Sequence, residues 1–157
     1  MRYSVDEYRA ETCFQGVTKV VHMNAATGSR PTSYVCTPDI VFWLDQSGMP
    51  EARDPEYFAQ WHTALVALAV EPNVVCKISS LGMNDPHRTT ASRRPRVLGC
   101  IEAFGAGRCF FGSKRPVERL SSGYGDALDA SRDTIADLTE VEQSQLLHTN
   151  AERTFRI

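Results

Sequence analysis

Apolar residues recur along this chain in two rhythms, as short unbroken runs and as longer stripes at helical spacing. Ile40 to Leu44 (Ile-Val-Phe-Trp-Leu) is a continuous run, the kind of strand buried on both faces in a parallel sheet. Asp54-Pro55-Glu56 then supplies an N-cap, a first-turn proline and an acid near the positive end of a helix dipole, and Phe58, Trp61, Leu65 and Leu68 follow on one face. His62 lies off that stripe and is expected to face solvent. Asn73 to Ser79 is the next strand, with Lys77 breaking an otherwise apolar run near its C-terminal end. The polar stretch Asn84 to Thr90 leads to an amphipathic helix carrying Val97, Leu98, Ile101 and Phe104, closed by Gly105 as a left-handed cap. Arg108 to Gly112 reads as a short strand ending in the loop Ser113 to Val117. Leu128, Ile135, Leu138, Leu146, Leu147 and Phe155 then mark two or three helices, the second started by Thr139 with Glu142 three residues on.

Towards the N-terminus, Ser4 and Glu7 form a capping-box pattern that predicts a short helix over Val5 to Thr12. Val17 to Met23 is β-branched and predicts a buried strand entered from Gly16, with His22 as a hydrogen-bonded core residue. Asn24 to Pro38, with Gly28, Pro31 and Pro38, reads as a loop that is long for a compact domain.

Strands alternating with helices at these lengths predict right-handed βαβ units, a parallel sheet and the α/β class, in which sites are built at the C-terminal ends of the strands. There is no internal repeat, no Gly-rich phosphate loop and no Ser-centred nucleophile elbow.

Composition narrows the partners more than the fold. The 157 residues, 42% hydrophobic and 23% charged, suit one compact globular domain. A formal net charge of -2, from 17 basic against 19 acidic residues, gives no electrostatic reason to expect nucleic acid or an anionic membrane as partner. The N-terminal dozen residues carry charges where a signal peptide needs an apolar core, and no window has the length of a membrane span, so a cytoplasmic location is expected. Five cysteines without paired spacing argue against a disulfide framework or a zinc-cysteine site, and Cys76 and Cys109 sit in apolar runs as buried free thiols.

Four blocks stand in order along the chain: Leu44-Asp45-Gln46-Ser47-Gly48-Met49-Pro50, Asn73 to Leu81 around Lys77, Phe104 to Ser113 followed by Pro116-Val117, and Asn150-Ala151-Glu152-Arg153-Thr154-Phe155-Arg156. Together they resemble the amidohydrolase-related family of metal-dependent TIM-barrel hydrolases, most closely its lactonase-like branch. The resemblance covers about Pro38 to Ile157, and it implies that Ile40 to Leu44, Val74 to Ser79 and Cys109 to Gly112 are the last three barrel strands. Residues 1–26 resemble an early helix and strand of the same family. A complete (β/α)8 barrel takes about 250 residues, so the expected fold is a partial (β/α)8 TIM barrel, chiefly its C-terminal strands and helices, in a single incomplete domain over residues 1–157.

The resemblance also locates the chemistry and its departures. Such enzymes use metal, or well-placed carboxylates and imidazoles, to activate water and polarise a carbonyl. Where the family pattern reads Asp-His-x-Gly-x-Pro, the histidine position here is Gln46; where it reads Gly-Ser-Asp-Trp-Pro, the aspartate position is Lys114 and the tryptophan position Arg115. Lysine for aspartate changes the local charge by two units, and a unit charge about 4 Å from another is worth on the order of 4 kcal/mol at an effective dielectric of 20. No cofactor is therefore expected, although the family's own groups hold a divalent metal. Lys77 matches the family's lysine in its Val-x-Lys-x-Ser strand and is expected, with Arg115, to contact a substrate carboxyl group. Two readings follow: a hydrolase of a lactone-like or other cyclic carboxyl substrate, with Gln46 and Lys114 at the former catalytic positions, or an inactive remnant or association module. Self-association is expected, because a sheet cut from a barrel leaves strand edges unpaired.

Overall fold

The computed structural model describes Ala10, the backbone of Phe42–Leu44, and residues 54–79, 89–115, 117–120 and 122–157. The predicted helix over Val5 to Thr12, apart from Ala10, the strand over Val17 to Met23 with His22, and the loop Asn24 to Pro38 lie outside the described residues.

Three strands form one sheet: β1 (Phe42–Leu44), β2 (Val74–Ile78) and β3 (Cys109–Phe111), in that spatial order and parallel throughout. The register sets Phe42 against Val74 and Cys76 against Cys109. Helix α1 (Pro55–Ala69) connects β1 to β2, and α2 (Thr90–Phe104) connects β2 to β3. This is the α/β arrangement that the alternating pattern predicts. Beyond β3 come a 3-10 turn (Val117–Leu120), α3 (Tyr124–Thr134), and one helical run in which α4 (Glu140–Ser144) passes through a π-helical turn (Gln145–Thr149) into α5 (Asn150–Phe155).

The local signals explain the helix starts. Asp54 accepts from the Glu56 N–H at 3.2 Å, with Pro55 in the first turn. Thr89 and Ser92 cap α2 reciprocally, and Pro95 sits in its second turn. Thr139 and Glu142 form the third cap as expected, and the Thr139 hydroxyl and N–H hold the Glu142 carboxyl below its ordinary value. That stabilisation is present above the carboxyl's unfolded pKa and is lost as pH falls through the lower folded value.

Alternation along β2 puts Val74, Cys76 and Ile78 on one face, where they pack with Trp61, Leu65, Val97, Cys100, Phe104, Ile135 and Leu146. Each fully buried aliphatic side chain there contributes roughly 1.5–3 kcal/mol over leaving it exposed. Cys76, Cys100 and Cys109 are all free and buried. A hydrogen bond with Cys100 pulls the Cys76 thiol down, but a hydrogen bond with Cys109, burial and the Cys109 charge outweigh it and push the thiol far above its ordinary range. Thiolate chemistry is thereby disfavoured, and Cys76 acts as a small core hydrophobe.

Long-range hydrogen bonds lock the helices to the sheet. The Arg108 guanidinium donates to Ala69 O (2.8 Å), Glu71 O (2.9 Å) and Phe104 O (3.1 Å), closing the C-terminal ends of both α1 and α2. Asn150 Nδ2 donates to Ala106 O and Cys109 O, both at 2.7 Å, and Arg153 donates to Gly107 O. The C-terminal block that carries the family resemblance thus acts by pinning the turn into β3.

Three expectations change. Arg108 belongs to a 3-10 turn (Ala106–Arg108) and β3 begins at Cys109, because that turn lets the guanidinium reach back to the helix ends. Gly105 takes φ 75° and ψ 151°, a positive-φ turn outside the left-handed helical well. His62 is half-buried rather than solvent-facing: it stacks on Phe58 and sits against Gly99, where a β-carbon would lie 3.2 Å from the imidazole. The missing side chain at Gly99 lets α1 approach α2 there.

Candidate functional site

The C-terminal ends of β2 and β3 carry the groups with chemistry. Lys77 points to the face opposite Ile78, and its register partner is Phe110, whose ring meets Phe155 edge-on at 5.5 Å between centroids. Gly112 extends the ladder by donating to Ile78 O at 2.9 Å. A β-carbon at Gly112 would lie 2.5 Å from Lys77 Cε and 3.3 Å from its Cγ. The aliphatic stem of Lys77 therefore runs over the glycine backbone toward the strand ends, and glycine is what leaves it that path. Gly112→Ala is expected to cost about 1 kcal/mol through overpacking, read by urea unfolding, and to shift the Lys77 side-chain NMR resonances. Unmoved resonances would show that the stem does not depend on this glycine.

Lys114 follows two residues later, with backbone φ 48°. Asp and Asn enter this left-handed region more readily than longer side chains, for which it costs roughly 1 kcal/mol. The position thus suits the aspartate of the family pattern better than the lysine found here. Arg115 donates to Ser122 O at 2.9 Å and lies over the Tyr124 ring at 5.7 Å, so its guanidinium ties together the segment between β3 and α3. Gln46 lies outside the described residues.

A cavity of about 130 Å³ opens on the other face of the sheet, between the strand ends, α2 and α3. Lys77, Lys114 and Arg115 are not part of its lining; Ser79, Arg93, Ser113, Glu118 and Tyr124 are. Ser79 belongs to the strand block singled out in the sequence, but Glu118 had no local signal. It lines the cavity together with Arg93 of α2 and Tyr124 of α3, a grouping that no local pattern specifies.

Among the described residues, no group of three or more His, Cys, Asp or Glu side chains stands together to hold a metal ion. Lys77, Lys114 and Arg115, the described residues that the sequence resemblance points to, carry ammonium and guanidinium groups, a donor set that repels a divalent cation. These residues do not fit a metal. Among the same residues, no helix is long and apolar enough to cross a membrane.

Comparison with known proteins agrees with this strand-and-loop layout. The amidohydrolase family profile matches residues 37–157. An uncharacterized protein, y4mH, of Sinorhizobium fredii is 38% identical over 120 residues, 76% of this chain and 40% of that protein. An L-fucono-1,5-lactonase of Burkholderia ambifaria is 42% identical over 67 residues, 42% of this chain and 23% of the relative. A crystal structure of an amidohydrolase from Burkholderia multivorans with bound zinc superposes with a TM-score of 0.71 at 29% identity, covering 75% of this chain and 44% of that one. The chain spans less than half the length of these relatives.

Proposed function

The chain belongs to the amidohydrolase family, and on that premise we propose that the ends of β2 and β3 bind a lactone-like or other cyclic carboxyl substrate through Lys77 without hydrolysing it. The observation that carries this reading is the path of Lys77 over Gly112, with Lys114, which the sequence resemblance sets at the family's aspartate position, on the loop after β3. An ammonium at a strand end holds a carboxylate or polarises a carbonyl by a charge-assisted hydrogen bond. Hydrolysis needs in addition a base or a metal-bound water, and an ammonium group supplies neither.

In the same reading, β1, β2 and β3 correspond to the last three strands of a (β/α)8 barrel, and a second copy of the chain pairs with an outer strand edge. Open strand edges offer unpaired backbone groups to another chain. A second reading, hydrolysis proper, is favoured by the match to an L-fucono-1,5-lactonase. It requires water-activating groups from outside the described residues.

Calorimetric titration with L-fucono-1,5-lactone and its open hydroxy acid tests the binding. Lys77→Met is expected to weaken it by about 1.5–3 kcal/mol, tenfold or more. Equal binding by the variant would remove Lys77 from the site.

A further inference from the structure

Glu118 is the least expected side chain near the strand ends. Only 6% of it is exposed, and its Oε2 has no hydrogen-bond partner. The backbone holds it in place, since the Glu118 N–H donates to Lys114 O at 3.1 Å and Glu118 O accepts from the Ser122 N–H at 3.0 Å. Ser79, 4% exposed, likewise keeps a hydroxyl oxygen without a partner. Both side chains line the cavity of about 130 Å³ on the helix side of the sheet. A buried polar atom left unpaired costs about 1–3 kcal/mol, so two of them at one cavity mark a place where a ligand supplies what the protein lacks.

The lining specifies the chemistry. Glu118 offers an acceptor, Ser79 and Ser113 offer hydroxyls, and Arg93 brings a guanidinium, while Ile78 and Phe111 form an apolar wall. A second cation is disfavoured beside Arg93, an anion is disfavoured beside Glu118, and a purely apolar molecule leaves the polar groups unpaired. An engineered cavity of roughly 150 Å³ accommodates benzene, so this one is ring-sized. We infer that it is a binding site for a small neutral polyhydroxy compound, with adjacent hydroxyls donating to Glu118 and accepting from Arg93, and its C–H face on Ile78 and Phe111. The site lies on the opposite face of the sheet from Lys77 and does not depend on the lactone reading.

Saturation-transfer NMR of the whole chain with erythritol, D-ribose and myo-inositol, and with butylamine and benzene as cationic and apolar comparisons, tests it. At least one polyol is expected to bind in preference to both comparisons, and about tenfold more weakly to Glu118→Gln. Ser79→Ala, which removes one hydroxyl from a buried position, is expected to weaken the same polyol; it carries the test if Glu118→Gln fails to fold by circular dichroism. Absence of binding by all three polyols, meaning a cavity that holds solvent only, would overturn the inference. So would preferential binding of butylamine or benzene, or polyol affinity unchanged in the folded variants.

Discussion

Asn150→Leu is expected to lower the unfolding free energy by about 2–5 kcal/mol, because Ala106 O and Cys109 O would lose their donors inside the core. Asn150 is 2% exposed, so water cannot replace the amide without opening the packing. A domain of ordinary stability has about 5–15 kcal/mol in total, so this one change removes a large share. Urea unfolding should show a lower midpoint with an unchanged slope. Asn150→Asp should be no better tolerated, since a carboxylate facing two carbonyls repels them and donates nothing. A loss below about 0.5 kcal/mol, the usual scale for surface changes, would show that the C-terminal block does not hold the turn into β3.

Arg108→Met should cost about 3 kcal/mol by the same measurement, since hydrogen bonds from a charged donor are each worth about 1.5–3 kcal/mol and rarely add in full. The methionine keeps an apolar stem near the Phe104 ring, which the guanidinium now covers at 5.3 Å. What disappears is the donor set that closes the C-terminal ends of α1 and α2. Because α1 has no basic residue in its own last turn, no neighbouring side chain in that helix takes over. Hydrogen exchange should accelerate first at the C-terminal turns of those two helices.

Contacts between near neighbours are legible in the sequence, and those between distant residues are not. Asp54, Thr139 and Glu142 are readable because a cap is a contact between residues two or three apart, and the spacing alone specifies it. The continuous apolar runs around Val74 and Cys109 are readable because a parallel strand covered on both faces tolerates few polar side chains. Arg108 looked like the first residue of a strand, because its partners Ala69 and Glu71 lie more than thirty residues away and leave no local trace. His62 and Glu118 fail for the same reason. The burial of His62 depends on the missing side chain at Gly99, and Glu118 is buried at a cavity that it shares with Arg93 of α2, distant in the sequence. For the site, the motif positions located Lys77 and Lys114 at the strand ends, but neither the Gly112 track nor the cavity on the other face can be read from spacing.

Turnover of the same lactone by the purified chain, alone and with added zinc or manganese, measured beside binding in one preparation, separates binding from hydrolysis. Binding without hydrolysis predicts saturable binding that Lys77→Met weakens, with hydrolysis at the uncatalysed rate under every metal condition. It predicts the same absence of turnover in the Gln46→His/Lys114→Asp variant. Metal-dependent hydrolysis by the unmodified chain, abolished by Lys77→Met, would contradict it and establish the chain as a working hydrolase.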